Sequence, residues 1–537
     1  MKTGMLLQRL VRGAAVATLT ALGSALATVQ ADEPRHGGTL IFGGETEWGF
    51  LDPHIDASGA THRVNYQLFE GLFWRDYTRP NDGSPPPIIP QLATGYEVSD
   101  DGLVYTVSLR EGVKFHDGTP FNADAVVFNV RRVWDESFEH YYDRTGSLKF
   151  AVWRDLAGVE AVDEHTVRFT LSKPFAFFID QLAAPTGVGI PVYMSPESIR
   201  KWGNEEVEQH PVGTGPFRFV ERVRGQRIVY ERNPEYWNQP YPYLDRIIWR
   251  PIPEPSTRVN ALVGGEVDMI AAVPPDNVEQ LAAEGMIVAM GTHPHIWWLN
   301  LNHSEPPFSD VRVRQAANHA IDKQGMAEKL LRSTALPAFS MVSRTSVGFD
   351  PAWTDPYPFD PERAKALLAE AGYPDGFKTT LQTSTAGSGQ ILPVAMAEWI
   401  QRDLARVGIQ ASLETFEWNT YVGIWVNGLQ KGQGINQISW GTNSDFWLVH
   451  PLASDSPINS GHINNAEIDD LLAKMQQAPD LDTRTMLARQ IHQRDRNEAH
   501  HIPIVNDRQP FGMTSKVKGF VRAADWMEDY KVVWKAE

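Results

Sequence analysis

The side chains considered first for binding or catalysis in this sequence are histidines, carboxylates and tryptophans. The chain of 537 residues contains no cysteine. Without cysteine there can be no disulfide, no thiolate metal site and no cysteine nucleophile. The sequence also lacks a Gly-x-Ser-x-Gly elbow and a His-Glu-x-x-His helix, which are motifs of common secreted hydrolases. Carboxylates are numerous, so counting residues alone leaves a glycosidase pair open.

Several histidines and glycines invite a ligand interpretation. His293-Pro294-His295 and His500-His501 suggest a metal, but adjacent histidines on a strand point to opposite faces. The His-Pro-His triplet also has no nearby carboxylate at a useful spacing, so we interpret both groups as structural or surface histidines. His116 belongs to a charged turn that ends at Gly118, and we interpret it as a turn residue. Gly213-Thr214-Gly215-Pro216 lacks the lysine of a phosphate-binding loop. We therefore predict no metal site and no cofactor.

The elements that must position such residues alternate between strand and helix. Thr39–Gly44 is a short β-type run, and hydrophobic residues at every second position predict half-buried strands around Val107 and Phe169. About 500 residues would remain after removal of the N-terminal segment described below, more than one core usually supports, so two or three domains are expected. The mixture of both element types throughout predicts an α/β fold.

The helices carry their own start and stop signals. Asp360-Pro361 places a capping carboxylate before a proline at the first helical position, and Gly372 ends the apolar stripe that follows. A second stripe closes at Gly408, just before a strand-like run. A third includes Ile468 and Met475, and Asn122 is placed to cap the helix after it.

The first 31 residues have the pattern of a secretory signal peptide. A basic start with Lys2, Arg9 and Arg12 precedes an apolar stretch, 13–27, and small residues lead up to Ala31. We expect cleavage after Ala31, which makes residues 1–31 the signal peptide. Loss of its three positive charges changes the formal charge from −17 to −20. So acidic a surface argues against nucleic acid or anionic membrane as a partner.

A series of short motifs runs through the rest of the chain in a fixed order. They are Gly37-Gly38-Thr39-Leu40, Leu51-Asp52-Pro53-His54, Leu68-Phe69-Glu70-Gly71-Leu72, Leu109 to Phe121, Pro211 to Phe217, Asn233 to Trp237, Leu299 to Asn302 and Asp310 to Ala316. With these motifs in this order, the chain resembles the family 5 extracellular solute-binding proteins over essentially its whole length after the signal peptide. Members of that family carry peptides, nickel chelates, glutathione, opines or oligosaccharides.

The resemblance implies a two-lobed periplasmic-binding-protein clamp of type II, with mixed sheets flanked by helices and the ligand held between the lobes. Lobe I would comprise residues 32–291 and 506–537, with an inserted subdomain at about 77–210. Lobe II would comprise residues 292–505. Two chain crossings between the lobes would form the hinge.

The same resemblance implies where a ligand binds. A tryptophan-led loop lines the cavity in relatives, and here it contains Trp440, Asn443, Asp445 and Trp447. Peptide-binding relatives usually place an aspartate three residues after the tryptophan, where this chain has Asn443. Asp445 could supply the charge instead, or the ligand could lack a free amino terminus.

Tryptophans elsewhere divide into cavity candidates and core candidates. The chain has 17 of them, and flat aromatic faces suit sugar rings, peptide side chains and cations. Trp48 and Trp418 lie in stretches that face the cleft in relatives, and Arg344 is a candidate anchor for a carboxylate. We expect core packing for three others, Trp153, Trp237 and Trp534.

The function that follows from the resemblance is capture of a peptide or peptide-like ligand for an ABC importer, without enzymatic activity. Its partners would be that ligand and the permease subunits in the inner membrane, with the protein itself a monomer. Because no cysteine is present for lipid attachment, the expected location is the Gram-negative periplasm. Binding of an oligosaccharide, opine or metal chelate by the same clamp is the alternative, and a secreted hydrolase is the remote one.

Overall fold

The computed structural model describes residues 33–55, 59–183, 191–346, 348–385, 392–441, 444, 450–478, 480–525 and 527–536. The predicted signal peptide lies outside these residues. Residues from Pro34 onward group into one compact unit. Within the described part of the chain, no helix combines the length and the apolar character that a membrane span needs.

Thr39–Gly44 is the central strand of a seven-stranded sheet, which confirms the predicted strand. It pairs in parallel with a neighbour on each side, and its Leu40 and Phe42 side chains are fully buried. In order across the sheet the strands are Ile287–Ala289, Phe511–Met513, Met269–Ile270, Thr39–Gly44, Arg246–Pro251, Arg227–Arg232 and Phe217–Val223.

A four-stranded antiparallel sheet contains the two alternating segments expected from the sequence. Along Val104–Leu109 the side chains of Tyr105, Val107 and Leu109 are buried, whereas Ser108 is exposed. This is the half-buried pattern that a period of two predicts. In order across the sheet the strands are Ala93–Val98, Val104–Leu109, Thr166–Leu171 and Leu156–Asp163.

A six-stranded mixed sheet forms the second large layer. Its strand Ile296–Leu301 is buried at every position, because it lies between two other strands and has side chains packed on both faces. In order the strands are Ala335–Pro337, His501–Asp507, Ile296–Leu301, Ile435–Trp440, Phe377–Ser384 and Ile409–Phe416. Two short pairs complete the strands: Phe73–Arg75 with Ile88–Pro90, and Val517–Lys518 with Trp534–Lys535.

Two helices begin at the capping residues that the sequence predicts, and one of them ends just before the predicted glycine. The Asp360 carboxylate accepts a hydrogen bond of 2.9 Å from the Arg363 backbone N–H, and Asn122 accepts one of 3.0 Å from Ala125. Such caps contribute about 1 kcal/mol each. Gly372 adopts a positive φ just past the end of its helix, a backbone conformation that glycine adopts without strain.

Helices of the described residues lie both before and after the long buried strand Ile296–Leu301. The α-helices are Gly59–Asn65, Ala123–Trp134, Gly146–Leu148, Phe178–Ala183, Pro196–Glu206, Pro255–Val263, Val278–Ala283, Val311–Ala320, Lys323–Gly325, Pro361–Glu370, Pro393–Ala405, Trp418–Val426, Ala466–Gln477 and Leu481–Glu498. Short 3₁₀ or π turns lie at Asp143–Thr145, Lys149–Trp153, Val207–Gln209, Pro275–Asn277, Met326–Leu330, His450–Leu452 and Tyr530–Val532.

The hydrophobic core under the four-stranded sheet is shared with a distant part of the chain. It includes Ile468, Leu472 and Met475 of the helix Ala466–Gln477, the third apolar stripe predicted from the sequence. Packing in this core therefore holds the four-stranded sheet against the two-helix segment that follows residue 465.

Candidate functional site

Trp440 lies between two hydrophobic cores. It ends the strand Ile435–Trp440, opposite Ile296 of the long buried strand, and its side chain is only partly buried. The Trp440 side chain packs against the core of the four-stranded sheet. It also packs against a small aromatic cluster that includes Trp298 and Trp425. The Trp425 ring meets it edge to face, with the ring centroids 6.0 Å apart. A partly exposed indole between two cores can offer an aromatic surface to a ligand.

Gly441, the next residue, is packed directly against the backbone before the long buried strand. A Cβ atom at this position would lie 1.4 Å from the Pro294 carbonyl oxygen and 2.5 Å from the His295 Cα. Only glycine allows so close an approach. The start of the Trp440 loop is therefore fixed by contact with 294–295.

Contacts cross from the segment that follows the four-stranded sheet, including the helix Phe178–Ala183, to the segment beyond Trp440. Gln181 Nε2 donates a hydrogen bond of 3.3 Å to Ser444 Oγ, and the Ala176 backbone N–H donates one of 3.1 Å to the Gln476 carbonyl. The Arg484 guanidinium lies 5.0 Å from the Phe177 ring centroid. These contacts tie residues 176–181 to Ser444, Gln476 and Arg484, which all follow Trp440 in the chain.

The structure places the other predicted ligand residues in different environments. Trp418 begins a helix and packs, partly buried, on the same aromatic cluster as Trp440. Trp48 is 2% exposed and packs on Trp249 in the core of the seven-stranded sheet. Arg344 is exposed, with its guanidinium 5.3 Å from the Phe339 ring centroid. The structure thus brings Trp418 and Trp440 together but keeps Trp48 and Arg344 elsewhere. Asn443, Asp445 and Trp447 lie outside the described residues.

The tryptophans expected in the core behave in two ways. Trp153 and Trp534 are buried as predicted, and Trp153 stacks on Phe169. Trp237 is half-buried instead and packs on the outside of a core, where its Nε1 donates a 2.9 Å hydrogen bond to the buried Glu70 carboxylate.

Two of the histidine groups make structural hydrogen bonds. His116 Nε2 donates to the Gly215 carbonyl at 3.0 Å, while its Nδ1 accepts from the Gly213 N–H at 3.3 Å. Burial lowers the pKa of His116 to about 4, so this ring is neutral at physiological pH. His501 lies 3.0 Å from the Asp495 carboxylate, fully inside the protein. These contacts agree with the interpretation of both as structural residues.

A buried network of charges near the seven-stranded sheet was not anticipated from the sequence. Glu528 accepts hydrogen bonds from Arg63 at 2.8 Å and from Arg522 at 2.9 Å, and Arg63 also reaches Glu45 at 3.3 Å. The Phe511 ring lies 5.2 Å from one guanidinium and 5.1 Å from the other. Burial lowers the pKa of Arg63, but the Glu528 and Glu45 carboxylates outweigh burial and hold that pKa above its ordinary value.

Such charges persist in an interior only when they are paired, so the network holds several segments in one arrangement. Glu528 and Arg63 are 465 residues apart, and no local pattern in the sequence signals their contact.

Known proteins match this chain over most of its length. A sequence model of the family described as bacterial extracellular solute-binding proteins, family 5 Middle, matches residues 87–457. The glutathione-binding protein GsiB of Salmonella typhi is 30% identical over 481 residues, which cover 88% of this chain and 89% of that protein.

Two solved structures are similar along nearly their whole length. The periplasmic binding protein DppA of Helicobacter pylori, in complex with the peptide STSA, has a TM-score of 0.82 at 27% identity, and the match covers 94% of this chain and 99% of that one. A dipeptide-binding protein of Pseudoalteromonas sp. SM9913, in complex with Met-Leu, has a TM-score of 0.81 at 26% identity over 93% of this chain and all of the other. The chain therefore has the two-lobed clamp fold of periplasmic binding proteins, and it belongs to the family 5 bacterial extracellular solute-binding proteins.

Proposed function

We propose that this protein captures a peptide or peptide-like ligand between its lobes in the periplasm and delivers it to the permease of an ABC importer, without catalysing a reaction. The observation that carries the proposal is the position of Trp440, partly exposed between two cores and four residues before Ser444, which accepts a hydrogen bond from Gln181. Relatives whose names specify glutathione or dipeptides support the ligand class.

The proposed lobes follow the sheets. Lobe I, residues 32–291 and 506–537, would contain the seven-stranded sheet, and its insert at about 77–210 would contain the four-stranded one. Lobe II, residues 292–505, would contain the six-stranded sheet, although the strand His501–Asp507 continues two residues past that limit. In this division the Gln181–Ser444 bond is a contact between lobes, as expected where two lobes close over a ligand.

A ligand screen tests the proposal. The protein from Asp32 onward would be unfolded, refolded to remove ligand carried from the cell, and screened by thermal shift and calorimetry. The panel would contain glutathione, di- to hexapeptides, N-acetylated peptides, opines, nickel chelates and cello- and chito-oligosaccharides. We expect binding of at least one peptide class, with a raised melting temperature.

The pattern of responses separates the alternatives. Rejection of N-acetylated peptides would indicate a charged partner for the α-ammonium, the role expected of Asp445. A response to oligosaccharides alone would contradict the peptide proposal and would make the tryptophans sugar-binding surfaces instead. Turnover of any panel member would contradict the absence of catalysis.

A further inference from the structure

Three buried side chains with metal-ligating atoms meet where the chain passes between the two large sheets. His293 and His295 lie just before the long strand Ile296–Leu301, and Asp507 ends the strand His501–Asp507 beside it. One ligand atom from each lies within 4.8 Å of the others, and all three residues are buried. His295 Nδ1 and Asp507 Oδ2 are 3.5 Å apart.

This arrangement removes the reason for dismissing the His-Pro-His triplet. The sequence offers no carboxylate close to it, but folding brings Asp507 to it from more than 200 residues away. Two imidazoles and one carboxylate are a ligand set that zinc and other divalent transition metals accept. Ligands bound at about 2.1 Å in a tetrahedral site are about 3.4 Å apart, which matches the His295–Asp507 separation.

The surrounding hydrogen bonds orient the ligand atoms. His293 Nδ1 lies 3.2 Å from the Gly291 carbonyl, to which it can donate, and in that tautomer Nε2 carries the lone pair that a metal ion needs. Asp507 Oδ1 accepts a hydrogen bond of 2.9 Å from the Gln509 N–H. Its Oδ2 is buried with no hydrogen-bond partner among the described residues. Histidine ligands whose other ring nitrogen binds a carbonyl are the usual arrangement in metal sites.

The charges nearby are compatible with a cation. Arg522 Nη2 is 3.2 Å from His293 Nδ1 and could donate to it, an arrangement in which Nε2 carries the proton and binds no ion. Arg522 pairs with Glu528 through its other terminal nitrogen, Nη1, at 2.9 Å. Metal binding through His293 Nε2 therefore requires the tautomer in which Nδ1 donates to the Gly291 carbonyl and accepts nothing from Arg522. The carboxylates of Glu528, Glu45 and Asp507 outnumber the guanidiniums of Arg522 and Arg63 in this network, so it has room for added positive charge.

We propose that His293, His295 and Asp507 bind one divalent transition-metal ion, with Zn²⁺ as the preferred test ion. This site goes beyond the proposed function, because it does not depend on which ligand the clamp carries. Its ligands come from both chain crossings, which already share hydrogen bonds: the Asp507 N–H donates to the His295 carbonyl at 2.8 Å, and Asn506 Nδ2 donates to the His293 carbonyl at 2.7 Å. An ion would tie the two crossings together and stabilise the fold by mass action.

The first test measures zinc binding to the protein without an affinity tag. After treatment with a chelator, the protein would be dialysed against Zn²⁺ and its metal content measured by plasma mass spectrometry. We expect one tightly bound ion per chain and a higher melting temperature with zinc. Asp507→Asn keeps the Oδ1 acceptor and should weaken binding at least tenfold. His319→Gln, at a half-exposed histidine outside the cluster, should not change it.

A second measurement does not depend on a variant that folds. Crystals of the wild-type protein soaked in Zn²⁺ would be measured at the zinc absorption edge, and we expect the strongest anomalous peak among His293, His295 and Asp507. The proposal is overturned by a wild-type chain that binds no zinc, by Asp507→Asn with wild-type affinity, or by an anomalous peak elsewhere. None of these outcomes bears on peptide binding.

Discussion

Trp440 differs from Trp48 in how much of its ring is covered by other side chains. Trp48 is enclosed by the core of the seven-stranded sheet, with a ring atom within 3 Å of where a Cβ at Gly44 would stand. Trp440 is the last residue of its strand, and its side chain is only partly buried. An indole at a strand end keeps surface for a partner, whereas one in a core is already fully used in packing.

Replacing Trp440 with alanine should weaken ligand binding without unfolding the protein. Loss of one stacking surface from an enclosed site should cost roughly 1–3 kcal/mol of binding free energy. Calorimetry with the ligand found in the screen would measure this. Trp399→Ala is the matched control, because Trp399 is also partly buried but packs on another core and under the Arg402 guanidinium. Unchanged affinity combined with a sharply lower melting temperature would make Trp440 a core residue.

The pKa of His116 predicts how stability depends on pH. In the unfolded chain the ring takes up a proton near pH 6.5, but in the folded protein burial delays this until about pH 4. Between these values the unfolded state binds more protons, so His116 makes the free energy of unfolding fall as pH falls from 6.5 to 4.

Replacing His116 with glutamine should therefore reduce that pH dependence. A glutamine side chain can donate and accept hydrogen bonds but does not titrate. Urea denaturation at pH 7 and pH 5 would compare the two proteins, with the same change at the exposed His36 as control. A variant with the full wild-type slope would show that proton uptake by His116 does not contribute to the pH dependence.

At the scale of helices and strands, local signals predicted a great deal. The strand Thr39–Gly44, the two alternating segments of the four-stranded sheet and the capped helix Pro361–Glu370 all form from residues a few positions apart. Contacts between distant segments could not be predicted in this way. Arg63 meets Glu528, and Asp507 meets His295, only in the folded chain. No spacing rule in a sequence connects residues that lie hundreds of positions apart, so neither contact could be predicted.

Gly441→Ala should disturb the Trp440 loop more than its single methyl group suggests. The added Cβ would overlap the Pro294 carbonyl, a backbone atom that cannot rotate away, so the loop must move. We expect at least tenfold weaker ligand binding in a protein that still folds, measured by calorimetry and circular dichroism.

A glycine on the neighbouring helix provides the control. Gly423 is exposed in the helix Trp418–Val426, and nothing lies within 4 Å of a Cβ at that position. Gly423→Ala should retain affinity and raise stability by up to about 1 kcal/mol through helix propensity. Equal affinities for the two variants would show that the close contact at Gly441 does not position the site.

For the molecule as a unit, the proposed function requires the two large sheets to move relative to each other. The chain leaves the seven-stranded sheet after Ala289 and enters the six-stranded one at Ile296, and it returns between Asp507 and Phe511. Two short crossings side by side are the arrangement expected of a hinge. In the proposed division, the Arg484–Ala176 and Gln181–Ser444 contacts join the insert to the opposite lobe, far from the crossings in sequence. Ligand that touches both sides would then favour the closed form.

Small-angle scattering should detect this closure as a smaller radius of gyration when the ligand saturates the protein. Arg484→Ala provides a second approach, because Arg484 donates a hydrogen bond of 2.5 Å to the Ala176 carbonyl and lies over Phe177. Loss of these contacts should shift the free protein toward the open form and increase its radius of gyration. Arg494→Ala on the same helix is the control, since Arg494 pairs only with Glu467 and Glu498 among the described residues. If neither ligand nor Arg484→Ala changes the radius, the lobes do not open and close, and capture by a clamp is contradicted.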